Sequence, residues 1–183
     1  MRRFILTGAP GAGKTTVARL LAEAGHTVIA EAATDLIETA QAAGEDAPWE
    51  RGDFCEQIAA LQRDRQLAAN ALAGPVQFFD RSPVCTLAMA RFTEQPVGPV
   101  LSAELDRISA DGIYDQRVLM LDLLGFITPT AVRRVDLAEA RRFEQHHVEA
   151  YLQHGFTIER VPAADPATRA ARITDLTAKA AHA

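Results

Sequence analysis

Residues 8 to 15 read Gly-Ala-Pro-Gly-Ala-Gly-Lys-Thr and match the pattern GxxxxGK[ST] at every fixed position. An apolar run, Phe4-Ile5-Leu6-Thr7, leads straight into them, and a helical pattern from Lys14 to Ala24, closed by Gly25, leaves them. Only this strand, loop and helix setting gives the pattern its mechanism, so it constrains the fold more than any other stretch. Glycines let the main chain curl with its N–H groups inward, and those amides surround a polyphosphate together with the positive helix end. Gly8, Ala9, Pro10, Gly11, Ala12, Gly13, Lys14, Thr15 and Thr16 are therefore expected to hold the phosphates of a nucleoside triphosphate, here taken as ATP. Lys14 neutralises the β and γ oxygens, and Thr15 offers a hydroxyl to Mg²⁺. A dinucleotide turn does not fit, because Gly11-Ala12-Gly13 lacks the third glycine of GxGxxG and is followed by a lysine that such a turn has no use for.

Around this loop, short apolar runs alternate with longer helical patterns, the rhythm of a parallel sheet with helices on both faces. Five strands are predicted, at Phe4–Thr7, Thr27–Ala30, Val76–Phe79, Arg117–Leu121 and Phe156–Val161. None alternates strictly with polar residues, as expected of strands covered on both sides. Ser82-Pro83 reads as an N-cap followed by proline at the first helical position, opening a helix through about Phe92, and Asp165-Pro166 repeats that device. Asp136 to His154 reads as one long helix ended by Gly155, and Trp49 to Leu72 as an amphipathic helix built on Phe54, Ile58, Leu61 and Leu72. Residues 43–48 and 95–99 read as loops. With 183 residues, no internal repeat and no biased linker, one α/β domain is expected to span residues 1–183.

Nineteen Lys and Arg against 24 Asp and Glu leave a formal charge of −5, which argues against a surface made to coat nucleic acid or anionic lipid. Cys55 and Cys85 lack metal-ligand or disulfide-framework spacing and are expected as buried thiols. The run Phe4-Ile5-Leu6 is too short for a signal-peptide core, and no stretch approaches the roughly 20 apolar residues of a membrane span. A cytoplasmic protein is the expectation, with small-molecule rather than nucleic-acid or membrane partners; a homodimer is compatible with it.

Asp80 follows the third apolar run, where a carboxylate at the end of a buried strand emerges on the ligand side of an open sheet. There it either joins the Mg²⁺ shell or accepts a proton from a substrate hydroxyl, and Arg81 beside it is expected to point toward phosphate. Glu31 ends the second strand in the same way, with Asp35 one helical turn on, so Glu31 is the other candidate base. Arg133 and Arg134, within a lid-like segment at about residues 125–142, are candidates to neutralise charge on a moving phosphoryl group. Arg141 and Arg142 fit a solvated helix face better. Arg65 and Gln66 are the candidates for an acceptor pocket, against a plain exposed face. His146-His147, flanked by Glu144 and Glu149, reads as a surface pair, because adjacent helical residues point in different directions.

Taken together, residues 8–16, Val28-Ile29-Ala30-Glu31-Ala32-Ala33, Phe78-Phe79-Asp80-Arg81-Ser82 and the stretch from Tyr151 through Phe156 to Val161-Pro162 resemble a family of small single-domain P-loop ATPases or kinases. That family is labelled an AAA-type ATPase domain and is similar to nicotinamide riboside kinase-like proteins. Asp80-Arg81-Ser82 also resembles the acid-Arg-Ser element of thymidylate and deoxynucleoside kinases. The resemblance implies a three-layer P-loop fold with a five-stranded parallel sheet of order 2-3-1-4-5. It implies roles for Asp80 and Arg81 beside acceptor and phosphates, and adenine packed near Pro162 and Ala163. The arginine finger and second-region signature of ring-forming AAA machines are missing, which speaks against a hexameric motor. The expected activity is transfer of the γ-phosphoryl of Mg·ATP to a small hydroxyl- or phosphate-bearing acceptor such as a nucleoside or nucleotide. The rivals are a nucleotide-dependent switch and a kinase acting on an antibiotic hydroxyl.

Overall fold

Parallel strands cannot be joined by hairpins, so each needs a crossover helix, and the alternation of apolar and helical runs supplies them. The computed structural model describes residues 1–125 and 136–179. Its strands are β1 (Arg2–Thr7), β2 (Thr27–Ile29), β3 (Val76–Asp80), β4 (Arg117–Leu121) and β5 (Thr157–Val161). They form one sheet in the order β2-β3-β1-β4-β5, every neighbouring pair parallel, as the resemblance implies. The helices are α1 (Lys14–Glu23), α2 (Ala32–Ala42), α3 (Phe54–Ala68), α4 (Pro83–Phe92), α5 (Pro99–Ala110), α6 (Leu137–Gln153) and α7 (Pro166–Lys179).

Successive strand residues enter opposite cores. Phe4 and Leu6 of β1, Phe78 of β3 and Leu119 of β4 pack beneath Val17 and Leu21 of α1 and Ile173 of α7. Their neighbours Ile5, Phe79 and Val118 pack beneath Ala59 of α3, Val84 and Leu87 of α4, Leu101 of α5 and Tyr151 of α6. Each Val, Leu, Ile and Phe among them contributes about 1.5–3 kcal/mol through burial, which explains the apolar character of both strand faces. β2 and β5 are the edges and stay partly exposed. Cys55 and Cys85 are free and buried. Among the described residues no helix is long and apolar enough to cross a membrane.

The chain departs from its sequence reading in four places. α3 is shorter than expected, because Pro48–Glu50 and Ala69–Ala71 form separate 3₁₀ turns that leave Trp49 and Leu72 exposed. α5 was not expected, and the loop at 95–99 ends in its first residue, Pro99. Its cap comes from another element: the Glu56 carboxylate of α3 accepts from the Val100 and Leu101 N–H groups at 2.7 and 3.0 Å. Ser82 occupies the N-cap position of α4, but its hydroxyl makes no capping bond and lies 2.9 Å from the Tyr151 hydroxyl instead. His147, read as a surface residue, is fully buried, because it shares a helical stripe with Ala140, Phe143, Ala150 and Tyr151. By contrast α6 starts as its sequence indicates, with Asp136 and Glu139 forming a reciprocal capping box.

Candidate active site

The phosphate loop leaves β1 at the centre of the sheet. Gly8 has φ of 138°, and a Cβ there would lie 2.6 Å from the Leu121 carbonyl oxygen, so no side chain fits between loop and β4. The Ala12 N–H donates to the Ala9 carbonyl at 3.1 Å and closes the turn. Gly13, with φ of 78°, caps α1. Lys14 is 7% exposed and donates to the Gly8 carbonyl at 2.9 Å and more weakly to Ala9 at 3.4 Å. Burial pushes its ammonium down to about 8, and the Arg81 guanidinium pushes the same way against the pull of Asp80 and Glu31. Thr15 and Thr16 are exposed at the first turn of α1, where main-chain N–H groups have no intrahelical partner.

Asp80, the last residue of β3, is in register with Leu6 and so stands beside the loop. It is buried, and its Oδ1 has no hydrogen-bond partner. Burial, with the Glu31 charge, holds its carboxyl above the usual range, although Lys14 pulls it down. Arg81 has φ of 76°, a strained value for a side-chain-bearing residue. Its guanidinium pairs with Glu31 and donates to Nε2 of His147 at 3.2 Å. The His147 Nδ1 lies 2.9 Å from the Phe143 carbonyl and donates to it, which leaves Nε2 as acceptor. Burial and the Arg81 charge press His147 down to about 3, so it is neutral at ordinary pH. For Glu31, burial works to raise the carboxyl, but Arg81 and Lys14 together with the Thr34 hydroxyl outweigh it and hold Glu31 ionised. The site thus joins one ionised acid, one acid pushed toward its neutral form, and two cations.

The residues suit Mg²⁺. An orphaned carboxylate oxygen on Asp80 and an exposed hydroxyl on Thr15 offer hard oxygen ligands beside the loop. Among the described residues no cluster of three metal-ligating side chains exists.

Next to Asp80 and Arg81 opens a narrow cleft lined also by Ile29, Gln62, Arg65 and Tyr114. Arg65 lines it, donating to the Ala30 carbonyl at 2.9 Å and pairing with Asp35. Gln66 does not reach it: its amide bonds Asn70 and Arg107 instead. Gln62, one turn earlier, lines the cleft and accepts from the Thr86 hydroxyl at 2.9 Å. Pro162 and Ala163 are exposed directly after β5. Arg133 and Arg134 lie outside the described residues, as does most of the lid-like segment between residues 125 and 142. Arg141 and Arg142 are exposed on α6. Sequence reasoning missed His147 and Arg169, though both sit on buried helical stripes, Arg169 with Ile173 and Thr177 four and eight residues on.

Solved structures similar in fold include those of deoxyadenosine kinase from M. mycoides. With bound dATP that structure matches at a TM-score of 0.59 and 15% identity, over 96% of this chain and 98% of that one. With the products dCMP and dCDP it matches at 0.60 and 17%, over 97% and 99%. No curated protein matches the chain in sequence. The model of the AAA domain family matches residues 3–169, which contain the loop, both acids, Arg81, His147 and Arg169. The chain belongs to the AAA domain family, on the fold that the deoxyadenosine kinase shares.

Proposed function

We propose that the protein is a Mg²⁺-dependent phosphotransferase that moves the γ-phosphoryl of ATP onto a hydroxyl of a small acceptor, a nucleoside or nucleotide. One observation carries this reading: two carboxylates driven in opposite directions, Glu31 toward its charged form and Asp80 toward its neutral form, converge with Lys14 and Arg81 at a phosphate loop. Paired groups whose surroundings push their proton affinities apart divide roles between them. The narrow cleft beside them, lined by Gln62, Arg65 and Tyr114, offers polar side chains to an acceptor, and its cavity of about 10 Å³ holds only a water until the surrounding ion pairs part. The likeness in fold to a deoxyadenosine kinase supports a nucleoside as that acceptor.

The loop amides from Gly8 to Thr15 bind the β- and γ-phosphates, and Lys14 turns from its own carbonyls to their oxygens. Asp80 and Thr15 hold the cation, which when bound neutralises the phosphate charge. Arg81 exchanges Glu31 for the γ-phosphate, the stronger acceptor, while His147 keeps its other arm. Released, Glu31 regains proton affinity and takes the proton of the acceptor hydroxyl as that oxygen bonds to the γ-phosphorus and the bond to the β-phosphate oxygen breaks. Arg133 and Arg134 close over the moving group, and Pro162 and Ala163 flank adenine.

The test incubates the protein with Mg·ATP and a panel of nucleosides, nucleotides and hydroxyl-bearing antibiotics while following ADP. ADP release is expected to rise above the acceptor-free rate with a nucleoside or nucleotide. Release that no acceptor stimulates, in protein that binds ATP tightly, overturns the proposal.

A further inference from the structure

Arg169 of α7 is 2% exposed and lies far in sequence from the loop, yet it joins three elements at the ligand edge of the sheet. Its Nη1 donates to the Ala12 carbonyl at 2.6 Å, and its Nη2 donates to the Asp122 carbonyl at 2.9 Å and the Val161 carbonyl at 3.2 Å. Those carbonyls belong to the phosphate loop, the end of β4 and the end of β5. All three acceptors are neutral. Among the described residues no carboxylate lies within ion-pair distance of this guanidinium, and its buried Nε has no hydrogen-bond partner. The Asp122 carboxylate acts on the guanidinium only from a distance and is itself paired with Arg160; a buried cation with no carboxylate in contact is costly, and a purely structural staple could be made from neutral groups.

The geometry of the Ala12 contact supplies a reason for the charge. In a trans peptide the C=O and the following N–H point in opposite directions. Pulling the Ala12 carbonyl back toward Arg169 therefore turns the Gly13 N–H away from it, into the concave side of the loop. Gly13 also passes close by: a Cβ there would lie 3.5 Å from Arg169 Nη1. The same guanidinium fixes Val161, the residue before Pro162 and Ala163, so the phosphate loop and the loop after β5 hang from one group.

We propose that Arg169 is a positioning residue for the triphosphate: it orients the Gly13 amide, the bound anion joins the Asp122 carboxylate in balancing its charge, and it ties the phosphate loop to the loop after β5. This rests on the reading that residues 8–15 hold a triphosphate. A lost charge-assisted hydrogen bond of this kind corresponds to about ten- to a hundredfold in affinity.

The experiment compares the full chain with Arg169→Met and Arg169→Lys, titrating ATP and inorganic tripolyphosphate by calorimetry and recording the Gly13 amide resonance. Arg169→Met is expected to weaken tripolyphosphate about ten- to a hundredfold, the range set by one such hydrogen bond. Arg169→Lys keeps the charge but not the fork; it is expected to recover part of the tripolyphosphate affinity while the Gly13 amide resonance still moves. The Lys variant decides the matter if the Met variant fails to fold. Wild-type tripolyphosphate affinity with an unmoved Gly13 resonance in a folded variant overturns the proposal. So does a loss in Arg169→Lys as large as in Arg169→Met, since a charge-independent staple predicts that. Wild-type protein that binds neither ATP nor tripolyphosphate overturns the triphosphate reading, and this proposal with it.

Discussion

At the phosphate loop the groups offered to a ligand belong mainly to the main chain, and Lys14 is bonded to the loop's own carbonyls. Across the mouth of the cleft the offered groups are side chains, and apart from Asp80 the charged ones are held by side chains from distant parts of the sequence: Glu31 by Arg81, Arg81 by His147, Asp35 by Arg65. The loop is shaped by backbone sterics and is ready before anything binds. The acid and arginine cluster is shaped by ion pairs that must exchange partners when a phosphate arrives. A preformed half sets affinity and an exchanging half sets rate, so damage to the two halves should separate cleanly in binding and turnover.

The largest effect is expected from Lys14→Ala, which removes the loop's one charged side chain. Triphosphate affinity should fall by about 2–5 kcal/mol, as for truncation of one member of a buried charge pair, while circular dichroism shows the fold retained. Unchanged affinity would remove the distinction between the two halves. In the wild type, binding must raise the lysine from its value of about 8, so triphosphate affinity is flat below that pH and declines above it. Fold stability runs the other way. Between about 8 and the ordinary 10.5 the unfolded chain holds the proton more strongly, so rising pH favours the folded form.

Next, Glu31→Gln should lower kcat by about a hundredfold, the scale of a lost general base, without weakening ATP binding, since it frees Arg81 for the phosphate. Asp80→Asn should instead raise the Mg²⁺ concentration needed for half-maximal turnover. The reverse pattern in a magnesium titration would exchange the two roles. A smaller effect, about tenfold in kcat from one lost hydrogen bond to a charged group, is expected for His147→Phe, with ATP affinity intact. His147→Gln, which keeps an acceptor near the Nε2 position, should restore much of it; equal loss in both variants would mean that His147 only fills space. The smallest is Glu56→Gln, outside both halves. It weakens the cap on α5 and should cost about 1 kcal/mol in denaturant unfolding without changing kcat.

The same contrast explains what could be read in advance. The loop occupies consecutive residues between a strand and a helix, so local pattern contained all of it, and Asp80 and Glu31 were visible as acids at strand ends. The cap of α5 was not, because Glu56 and Val100 are 44 residues apart and nothing local marks them as partners. His147 and Arg169 fell to a different cause: His147 was read as half of a surface pair and Arg169 was not singled out, although the spacing of Phe143, Ala150 and Tyr151, and of Ile173, puts both inside. Gln62 and Gln66 are separated by one helical turn, and the small rotation that turns the first to the cleft and the second to Arg107 is set by tertiary packing. Arg133 and Arg134 remain a reading of the sequence.

The left-handed backbone at Arg81 has a consequence for how this chain can vary. A side-chain-bearing residue held there stores on the order of 1 kcal/mol or more, and its ties to Glu31, His147 and the Leu6 carbonyl keep it loaded. Glycine at this position would relax the backbone and discard the guanidinium. Thermal robustness and the proposed phosphoryl transfer therefore pull against each other at a single position, and selection for a tougher protein would discard the Arg81 charge first.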